Sequence, residues 1–295
     1  MAGKILIIVG GGKRKLDAFS TAASEIGLDI TTASFSEIEF DSASQDLRIS
    51  ELSFSDFETV YIRMVGKRLE EATLLVNWAK QMGIRVVDRV YQEAFFIPPT
   101  ISKAIETRKL IEKKVTIPKT IYANLKVLKA KAPQMLGFPF VIKSTSGRKA
   151  REVWLVENED SLDKTFADLL IKQKKGMRFF AQEFIPAVQR IRVLIVGEKV
   201  LGAITRPTKW GRLFNKGKDI EKRALSDVPQ KYINVSLGAA QALGLEIAGV
   251  DLLEDEKSQK VMVIEANAAP SWRAFAKETG INVEKEILKY LASLI

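Results

Sequence analysis

The 295-residue sequence is long enough for two compact domains, and its 46% hydrophobic and 28% charged residues are ordinary for a globular protein. It contains no histidine and no cysteine, which excludes Ser-His-Asp and Cys-His catalysis, disulfides and His-ligated zinc, so any metal must be held by oxygen, as magnesium and manganese are. The formal net charge of +10 favours an anionic partner such as a nucleotide, an acidic peptide, nucleic acid or anionic lipid, the alternative being a surface surplus without a partner.

The N-terminal third alternates apolar strands with amphipathic helices. Residues 4–9 form a continuous apolar run that leads into Gly10-Gly11-Gly12, and a helical pattern with one apolar face follows. Further strands are predicted at 29–33, 59–65 and 84–88, with a second amphipathic helix between the last two. This alternation predicts a parallel, Rossmann-like sheet in an α/β domain of residues 1–97.

The pattern changes after Pro98-Pro99. Helices are predicted at 101–113 and at 161–172, the second with Ser161 as its N-cap, and strands at 140–143, 152–157 and 178–184. Gly197-Glu198 is a two-residue turn typical of a β-hairpin, and helices at 229–243 and 283–295 flank two further apolar strands. These features predict an α+β region with antiparallel strands, which we divide into domains of residues 98–187 and 188–295.

Two apolar strands near the C-terminus carry acidic and amide side chains. Asp251 lies within the strand predicted at 246–254, and Glu265 and Asn267 are two residues apart in the strand at 260–267, so their side chains share a face. Pairing of these strands would bring three oxygen ligands together, which suits magnesium that bridges nucleotide phosphates. The alternative, strand-edge charges that face water, is disfavoured because carboxylates amid such apolar runs need a cation or a strong partner.

The C-terminal motifs resemble a known family. The segments Gly249-Val250-Asp251, Glu265-Ala266-Asn267-Ala268-Ala269-Pro270 and Glu278-Thr279-Gly280-Ile281-Asn282 are similar, in order and spacing, to the RimK-type branch of the ATP-grasp superfamily. The resemblance covers about Pro99 to Ile295. It implies an ATP-grasp fold with an N-terminal pre-ATP-grasp domain, and two magnesium (or manganese) ions bound by Asp251, Glu265 and Asn267.

The resemblance assigns further residues to an ATP site. Lys103 and Lys143 match the two lysines that approach the nucleotide phosphates, although a lone lysine is ordinarily solvated. The segment Gln182-Glu183-Phe184-Ile185 resembles the hinge at which the family binds adenine, with an ordinary core strand as the alternative. Three residues after the hinge complete the expected set, namely the catalytic Arg192 and Arg206 and the nucleotide-side Asn215.

Two segments depart from the family pattern. The loop after Lys143 normally carries three glycines, but this loop retains only Gly147, and Arg148 is expected to supply charge in their place. Arg190 stands where the family has an acidic residue, so the usual carboxylate for the ribose hydroxyls is missing. These departures favour an alternative function, a catalytically weak or inactive ATP-grasp protein that binds nucleotide or nucleic acid through its basic surface.

The family reaction transfers the γ-phosphate of ATP to a carboxylate and then replaces that phosphate with an amine, which requires positioned charge rather than histidine. The resemblance therefore implies an ATP- and magnesium-dependent carboxylate–amine ligase that acts on an amino acid or an acidic peptide, with Trp272 and Arg273 as candidates for carboxylate recognition. Gly10-Gly11-Gly12 fits no nucleotide-binding motif and is interpreted as a turn near the acceptor. The basic and aromatic segment 205–223 suits ATP phosphates and an acidic substrate better than nucleic acid.

Location and assembly are less strongly specified by the sequence. No apolar run approaches the roughly 18 residues that a membrane-spanning helix needs, and the N-terminus is unsuited to a secretory signal. We therefore expect a cytoplasmic protein without a membrane partner. A homo-oligomer is left open, because the sequence specifies no oligomeric state.

Overall fold

The computed structural model describes residues 4–43, 46–93, 102–145, 152–211 and 223–295 of the chain. The first sheet of the molecule, within residues 4–93, is parallel. The elements of residues 4–93 are β1 (Ile5–Val9), α1 (Asp17–Ile26), β2 (Ile30–Ser34), β3 (Ile38–Asp41), β4 (Asp46–Ile49), β5 (Leu52–Ser53), β6 (Thr59–Met64), α2 (Leu69–Met82), β7 (Arg85–Val87) and α3 (Arg89–Glu93). The parallel strands have the order β2-β1-β6-β7, which confirms the predicted parallel sheet. All five residues of β1 are buried, because α1 packs against one face of the strand and α2 against the other.

A second, antiparallel sheet of β3, β4 and β5 lies beside the parallel one. Its strands are two to four residues long, and β3 is largely exposed. β3 and β4 do alternate apolar and polar residues, but over only four positions each, the shortest run that indicates a strand, and the sequence analysis does not predict them. Leu47 and Ile49 of β4 are buried in the core beneath α2 and attach this sheet to the rest of the molecule.

Residues 102–183 contain the central sheet and its helices. The elements are α4 (Lys103–Glu112), β8 (Thr120–Tyr122), α5 (Leu125–Leu136), β9 (Phe140–Ser144), β10 (Val153–Val156), α6 (Glu159–Lys174) and β11 (Phe179–Glu183). The strands are antiparallel in the order β10-β9-β11-β8. The predicted N-cap of α6 is wrong: Asn158 caps the helix, and Ser161 lies inside the first turn, where its hydroxyl accepts the N–H of Asn158 at 3.0 Å.

The C-terminal part contains a five-stranded antiparallel sheet. Its elements are β12 (Gln189–Val196), β13 (Lys199–Pro207), β14 (Arg223–Ala224), α7 (Gln230–Leu243), β15 (Ile247–Glu254), β16 (Val261–Asn267), α8 (Arg273–Thr279) and α9 (Val283–Ala292). The strand order is β14-β13-β12-β15-β16. The predicted hairpin turn is confirmed, and Gly197 at its first position has φ +61°, a conformation that favours glycine.

The apolar cores are divided unequally among these sheets. One core, here called the shared core, joins β1 and α1 to β12, β13, α8 and α9, and it includes Phe19, Leu194 and Ile287. A separate core, here called the central core, has all its buried residues between Leu125 and Ala181. The parallel and five-stranded sheets are therefore packed together, whereas the central sheet is stabilised chiefly by its own helices.

A buried polar junction reinforces the contact between the parallel and five-stranded sheets. One oxygen of Asp88 accepts the N–H groups of Glu246 and Ile247, both at 2.7 Å. The carboxylate of Glu246 accepts hydrogen bonds from Arg85 at 2.5 Å and from the hydroxyl of Tyr290 at 2.7 Å. Burial raises the pKa of Asp88 to about 8, although the two N–H donors oppose that shift.

Membrane association and domain boundaries are the remaining predictions about organisation. Within the described ranges, no helix is long and apolar enough to cross a membrane. The boundary between residues 97 and 98 lies outside the described residues. The boundary between residues 187 and 188 stays a prediction.

Candidate active site

Three charged side chains form a row across the five-stranded sheet. Arg192 of β12 is directly opposite Asp251 of β15, and Asp251 is directly opposite Glu265 of β16. Directly opposed residues of antiparallel strands point to the same face, and Asn267 shares that face because it follows Glu265 by two residues. The structure thus brings together the three oxygen ligands that the sequence predicts, on one face of neighbouring strands.

Arginines already hold the carboxylate of Asp251. Its Oδ1 accepts from Arg192 Nε and its Oδ2 from Arg192 Nη2, both at 2.7 Å, and Arg190 Nη1 lies 3.4 Å from Oδ2. Asp251 is only 2% exposed, so this two-point ion pair is shielded from water. Burial alone would lower the pKa of Arg192, but its hydrogen bonds and charge attraction to Asp251 outweigh burial and raise it.

A third guanidinium belongs to the same face. Arg206 of β13 is directly opposite Arg190 of β12. Burial lowers the pKa of Arg206, and the charges of Arg192 and Arg190 lower it further. Within the described ranges, the Nε atoms of Arg190 and Arg206 are both buried without a hydrogen-bond partner. Three guanidinium groups therefore surround one buried carboxylate, an arrangement that attracts anions.

Lys103 joins this row from the first residue of α4. Its ammonium group donates to Glu265 Oε1 at 3.1 Å and to Glu106 Oε2 at 2.6 Å. Burial alone would lower the pKa of Lys103, but the charges of Glu106 and Glu265 outweigh it and raise the pKa. Lys103 therefore stays protonated at the edge of the carboxylate pair, although 162 residues separate it from Glu265 in the sequence.

Glu106 is the residue of this site that the sequence reasoning missed. Its carboxylate is 3% exposed, and it accepts both the ammonium of Lys103 and, at 2.9 Å, the backbone N–H of Ala266. Ala266 lies between Glu265 and Asn267, so one carboxylate fixes Lys103 relative to both. A signal was available, because Glu106 precedes the buried Leu110 by four residues and so lies on the same face of α4, where a carboxylate needs a partner.

Lys143 of β9 approaches from the central sheet. Its ammonium group donates to Gln182 Oε1 at 2.5 Å, and Gln182 in turn donates to Thr120 Oγ1 at 2.8 Å. Burial lowers the pKa of Lys143 to about 8, and the charge of Glu265 partly offsets this effect. The charge of Glu265 on the five-stranded sheet thus contributes to the electrostatic environment of Lys143 on the central sheet.

The predicted hinge segment connects β11 with the strand that follows. Glu183 Oε2 accepts the backbone N–H of Lys119 at 3.1 Å. The ring of Phe184 meets Trp210 edge to face, with 5.9 Å between ring centroids. Ile185 is buried in a small apolar cluster with Met262 of β16. This segment is therefore in contact with both sheets that border the candidate site.

Trp272 and Arg273, predicted to recognise a carboxylate, have different surroundings. The indole of Trp272 is buried in the shared core, and its N–H donates to Glu284 at 2.6 Å, while the guanidinium of Arg63 lies 3.9 Å from the ring centre. The one polar side-chain atom of Trp272 is already bonded to Glu284, so its contacts do not support a role in substrate recognition. Arg273 is exposed at the start of α8, and its role stays a prediction.

The end of the parallel sheet lies against the loop that follows Asn267. Arg63 of β6 donates to the carbonyl of Pro270 at 2.8 Å. In the neighbouring turn a Cβ on Gly10 would stand 1.7 Å from the carbonyl oxygen of Val65, so only glycine fits there. The glycine run predicted as a turn is thus a point of close backbone approach, and its contact with an acceptor stays a prediction.

Three predicted residues of the nucleotide site, Gly147, Arg148 and Asn215, lie outside the described residues. Among the described residues, no group of three or more acidic side chains has the arrangement of a metal site. Glu265 and Asn267 are nevertheless oxygen ligands on one face, and the side chain of Glu265 is 37% exposed, so the chemistry of these two residues fits magnesium. Asp251 fits less well, because Arg192 is bonded to both of its oxygens.

Comparison with known proteins gives a consistent result. The model of the RimK-like ATP-grasp domain family matches residues 101–291. A probable alpha-L-glutamate ligase of Mannheimia succiniciproducens is 28% identical over 198 residues, which are 65% of this chain and 64% of that protein. A probable alpha-L-glutamate ligase of Legionella pneumophila (strain Corby) is 28% identical over 243 residues, or 80% of this chain and 76% of that protein. This chain thus spans less than two thirds of the length of the first of these relatives.

The fold is also found in solved structures. The structure of the ATP-grasp ligase PsnB complexed with minimal precursor, Mg and ADP aligns with 98% of this chain and 96% of its own, with a TM-score of 0.76. The sequence identity is 14%, so this likeness concerns the fold alone. The predicted ATP-grasp fold, with its mixture of helices and sheets, is thereby confirmed.

Proposed function

This chain belongs to the RimK-like ATP-grasp domain family, and on that premise we propose that it is an ATP- and magnesium-dependent ligase that joins a carboxylate to the amine of an amino acid or peptide. Relatives named as probable alpha-L-glutamate ligases support amide-bond formation as the reaction class. A polypeptide with an acidic end is the acceptor that best suits a chain with a net charge of +10.

One observation carries the proposal: basic groups and oxygen ligands converge between the central and five-stranded sheets. Lys103 donates to Glu265, and Lys143 lies within electrostatic reach of the same carboxylate. Lysines supply compact positive charge for phosphates, and Glu265 with Asn267 supplies oxygen ligands beside them. A nucleoside triphosphate needs both, and few other substrates do.

The proposed reaction has two steps. An oxygen of the substrate carboxylate attacks the γ-phosphorus of ATP, the bond to the β-phosphate breaks, and an acyl phosphate and ADP result. The amine nitrogen then attacks the acyl carbon, phosphate leaves, and the amine loses a proton. No side-chain nucleophile is needed, because the residues act by positioning the reactants and neutralising developing charge.

Each residue of the site has a proposed part in these steps. Lys103 and Lys143 bind ATP phosphates. Arg206, on the adjoining strand β13, stabilises the acyl phosphate. Arg192 orients Asp251 through its two-point ion pair. The segment from Gln182 to Ile185, which contacts both bordering sheets, is the proposed adenine site.

Glu265 and Asn267 would hold magnesium, with Asp251 beside them. The ion, when bound, would neutralise charge on the phosphoryl oxygens during transfer. The resemblance implies two ions, and a second ion would need Asp251 as a ligand. Both oxygens of Asp251 already accept hydrogen bonds from Arg192. Asp251 could therefore bind a second ion only if its ion pair with Arg192 rearranged.

The decisive variant is Glu265→Ala. We expect it to lower magnesium-dependent ADP formation about 100-fold or more, because it removes the proposed metal ligand and the partner of Lys103. ADP release would be measured with ATP and magnesium over a panel of amino acids and short acidic peptides. Glu256→Ala, in the exposed turn after β15, is the matched control and should keep full activity.

Two outcomes would contradict the proposal. Full activity of Glu265→Ala would remove Glu265 from the site. If the unmodified chain turns over no ATP with any substrate pair, yet binds RNA or DNA in a salt-sensitive manner, the alternative of an inactive nucleotide- or nucleic-acid-binding protein is favoured.

A further inference from the structure

The arginines around Asp251 carry more positive charge than that carboxylate can balance. Arg192 bonds both oxygens of Asp251, and Arg190 lies 3.4 Å from one of them. Arg206 adds a third guanidinium from β13, directly opposite Arg190. One buried carboxylate therefore faces three permanent cations, and the excess charge calls for a further anion.

Unsatisfied donors point to the same conclusion. The Nε atoms of Arg190 and Arg206 are buried and have no hydrogen-bond partner among the residues that the structure describes. Buried donors are nearly always satisfied in folded proteins, so two on one face of a sheet indicate an acceptor that the described part of the protein does not supply. The planar guanidinium group binds phosphate oxygens well, often through two parallel hydrogen bonds.

Asp251 is a poor site for a second divalent ion. A magnesium ion on Asp251 would have to share that carboxylate with Arg192, which is bonded to both of its oxygens, and the two positive charges would repel each other. Asp251 is 2% exposed, whereas the side chain of Glu265 is 37% exposed. The accessible oxygen ligands are thus those of Glu265 and Asn267, which suffice for one ion that keeps several waters.

We propose that Arg190 and Arg192 take the place of one divalent ion beside Asp251, so that this chain binds nucleotide phosphates with a single ion at Glu265 and Asn267. Arg190 and Arg206 then act as permanent cations that contact the phosphates directly. The inference rests on the proposed function, since it concerns the same nucleotide. Beyond that function, the inference specifies that one divalent ion binds with the nucleotide. It also requires that nucleotide still bind when no divalent ion is present.

The first test counts the ions. Manganese would be titrated into the protein at saturating AMPPNP, and bound Mn2+ measured by electron paramagnetic resonance, after subtraction of the ions that the nucleotide binds alone. One Mn2+ per chain is expected. Two per chain would overturn the inference, because a second ion at Asp251 would then displace the arginines or share the carboxylate with them.

The second test removes Arg190. The affinity for a fluorescent ADP analogue would be measured in EDTA and in magnesium, for the unmodified chain, Arg190→Gln and Arg108→Gln. Arg108 is a matched control, since it is exposed on α4, and its substitution removes the same charge. In EDTA, Arg190→Gln is expected to weaken binding about tenfold relative to Arg108→Gln, as for the loss of one charged hydrogen bond.

The outcomes separate this inference from the function on which it rests. If nucleotide binds in magnesium but not measurably in EDTA, or if the two variants bind equally in EDTA, the inference is overturned and the ligase proposal stands. If nucleotide binds under neither condition, both are overturned.

Discussion

The parallel sheet and the five-stranded sheet use their strands in different ways. In β1 every residue is apolar and buried, and the strand contributes to a core on each face. In β12 a single face changes character along its length: Leu194 and Val196 pack in the shared core, whereas Arg190 and Arg192 on the same face join the charged row. A strand can thus be anchored at one end and carry chemistry at the other, which keeps the charged groups on a rigid support.

The largest effect that would sharpen this comparison is expected from Ile8→Ala in β1. Ile8 is fully buried, so the substitution should cost about 2–5 kcal/mol of unfolding free energy through lost burial and the cavity that it leaves. Denaturant unfolding would measure the loss, and the nucleotide affinity of the folded protein should not change. Ile171→Ala, at an exposed site on α6, is the control and should be nearly neutral. A variant as stable as this control would contradict the structural role of β1.

An intermediate effect is expected from Glu106→Gln. The amide cannot balance the ammonium charge of Lys103, so among the described residues Glu265 is left as the one charged partner that holds Lys103 at the strand carrying Glu265 and Asn267. We expect the KM for ATP to rise about tenfold with a smaller change in kcat, as for other groups that orient ligands. Steady-state kinetics would measure both constants, with Glu112→Gln on the exposed part of α4 as the control. A fall in kcat alone would indicate a purely structural role for Glu106.

The smallest effect concerns pH and Lys143. Because burial lowers the pKa of Lys143 to about 8, its ammonium group loses the proton as the pH rises above 8, and an anionic phosphate is then held less tightly. ADP affinity should fall by roughly threefold to tenfold between about pH 7 and pH 9.5, as measured by fluorescence titration. In Lys143→Gln the affinity should be lower at pH 7 and nearly independent of pH in this range. Lys164→Gln, at an exposed site, should keep the pH dependence; its loss there would contradict the assignment.

The parts of the fold that follow from periodicity were predictable. The parallel strands, the hairpin at Gly197 and the pairing of the strands that carry Asp251 and Glu265 all rest on local patterns, and the structure confirms them. The contact of Arg192 with Asp251 does not follow from such patterns, because these residues of β12 and β15 are 59 positions apart in the sequence. Sequence periodicity indicates which face a residue takes but not which distant strand lies beside it.

The helix boundary and the buried acid show a second limit. Asn158 and Ser161 are both good capping residues three positions apart, and the choice between them depends on where the chain enters the helix. Glu106 could be recognised as an acid on an apolar helix face, but its partner Ala266 is 160 residues away. Such polar contacts are settled only when the helices and sheets are assembled.

The separate central core has a consequence for access to the site. Its buried residues all lie between Leu125 and Ala181, while the shared core and the junction at Asp88 hold the other two large sheets together. A rigid-body rotation of the central sheet away from the five-stranded sheet would therefore leave both cores intact. It would break contacts at the rim, such as the hydrogen bond from Lys209 to the carbonyl of Val153. As far as the described residues show, widening the cleft for a nucleotide to enter or leave thus ruptures surface contacts and exposes neither of these two cores.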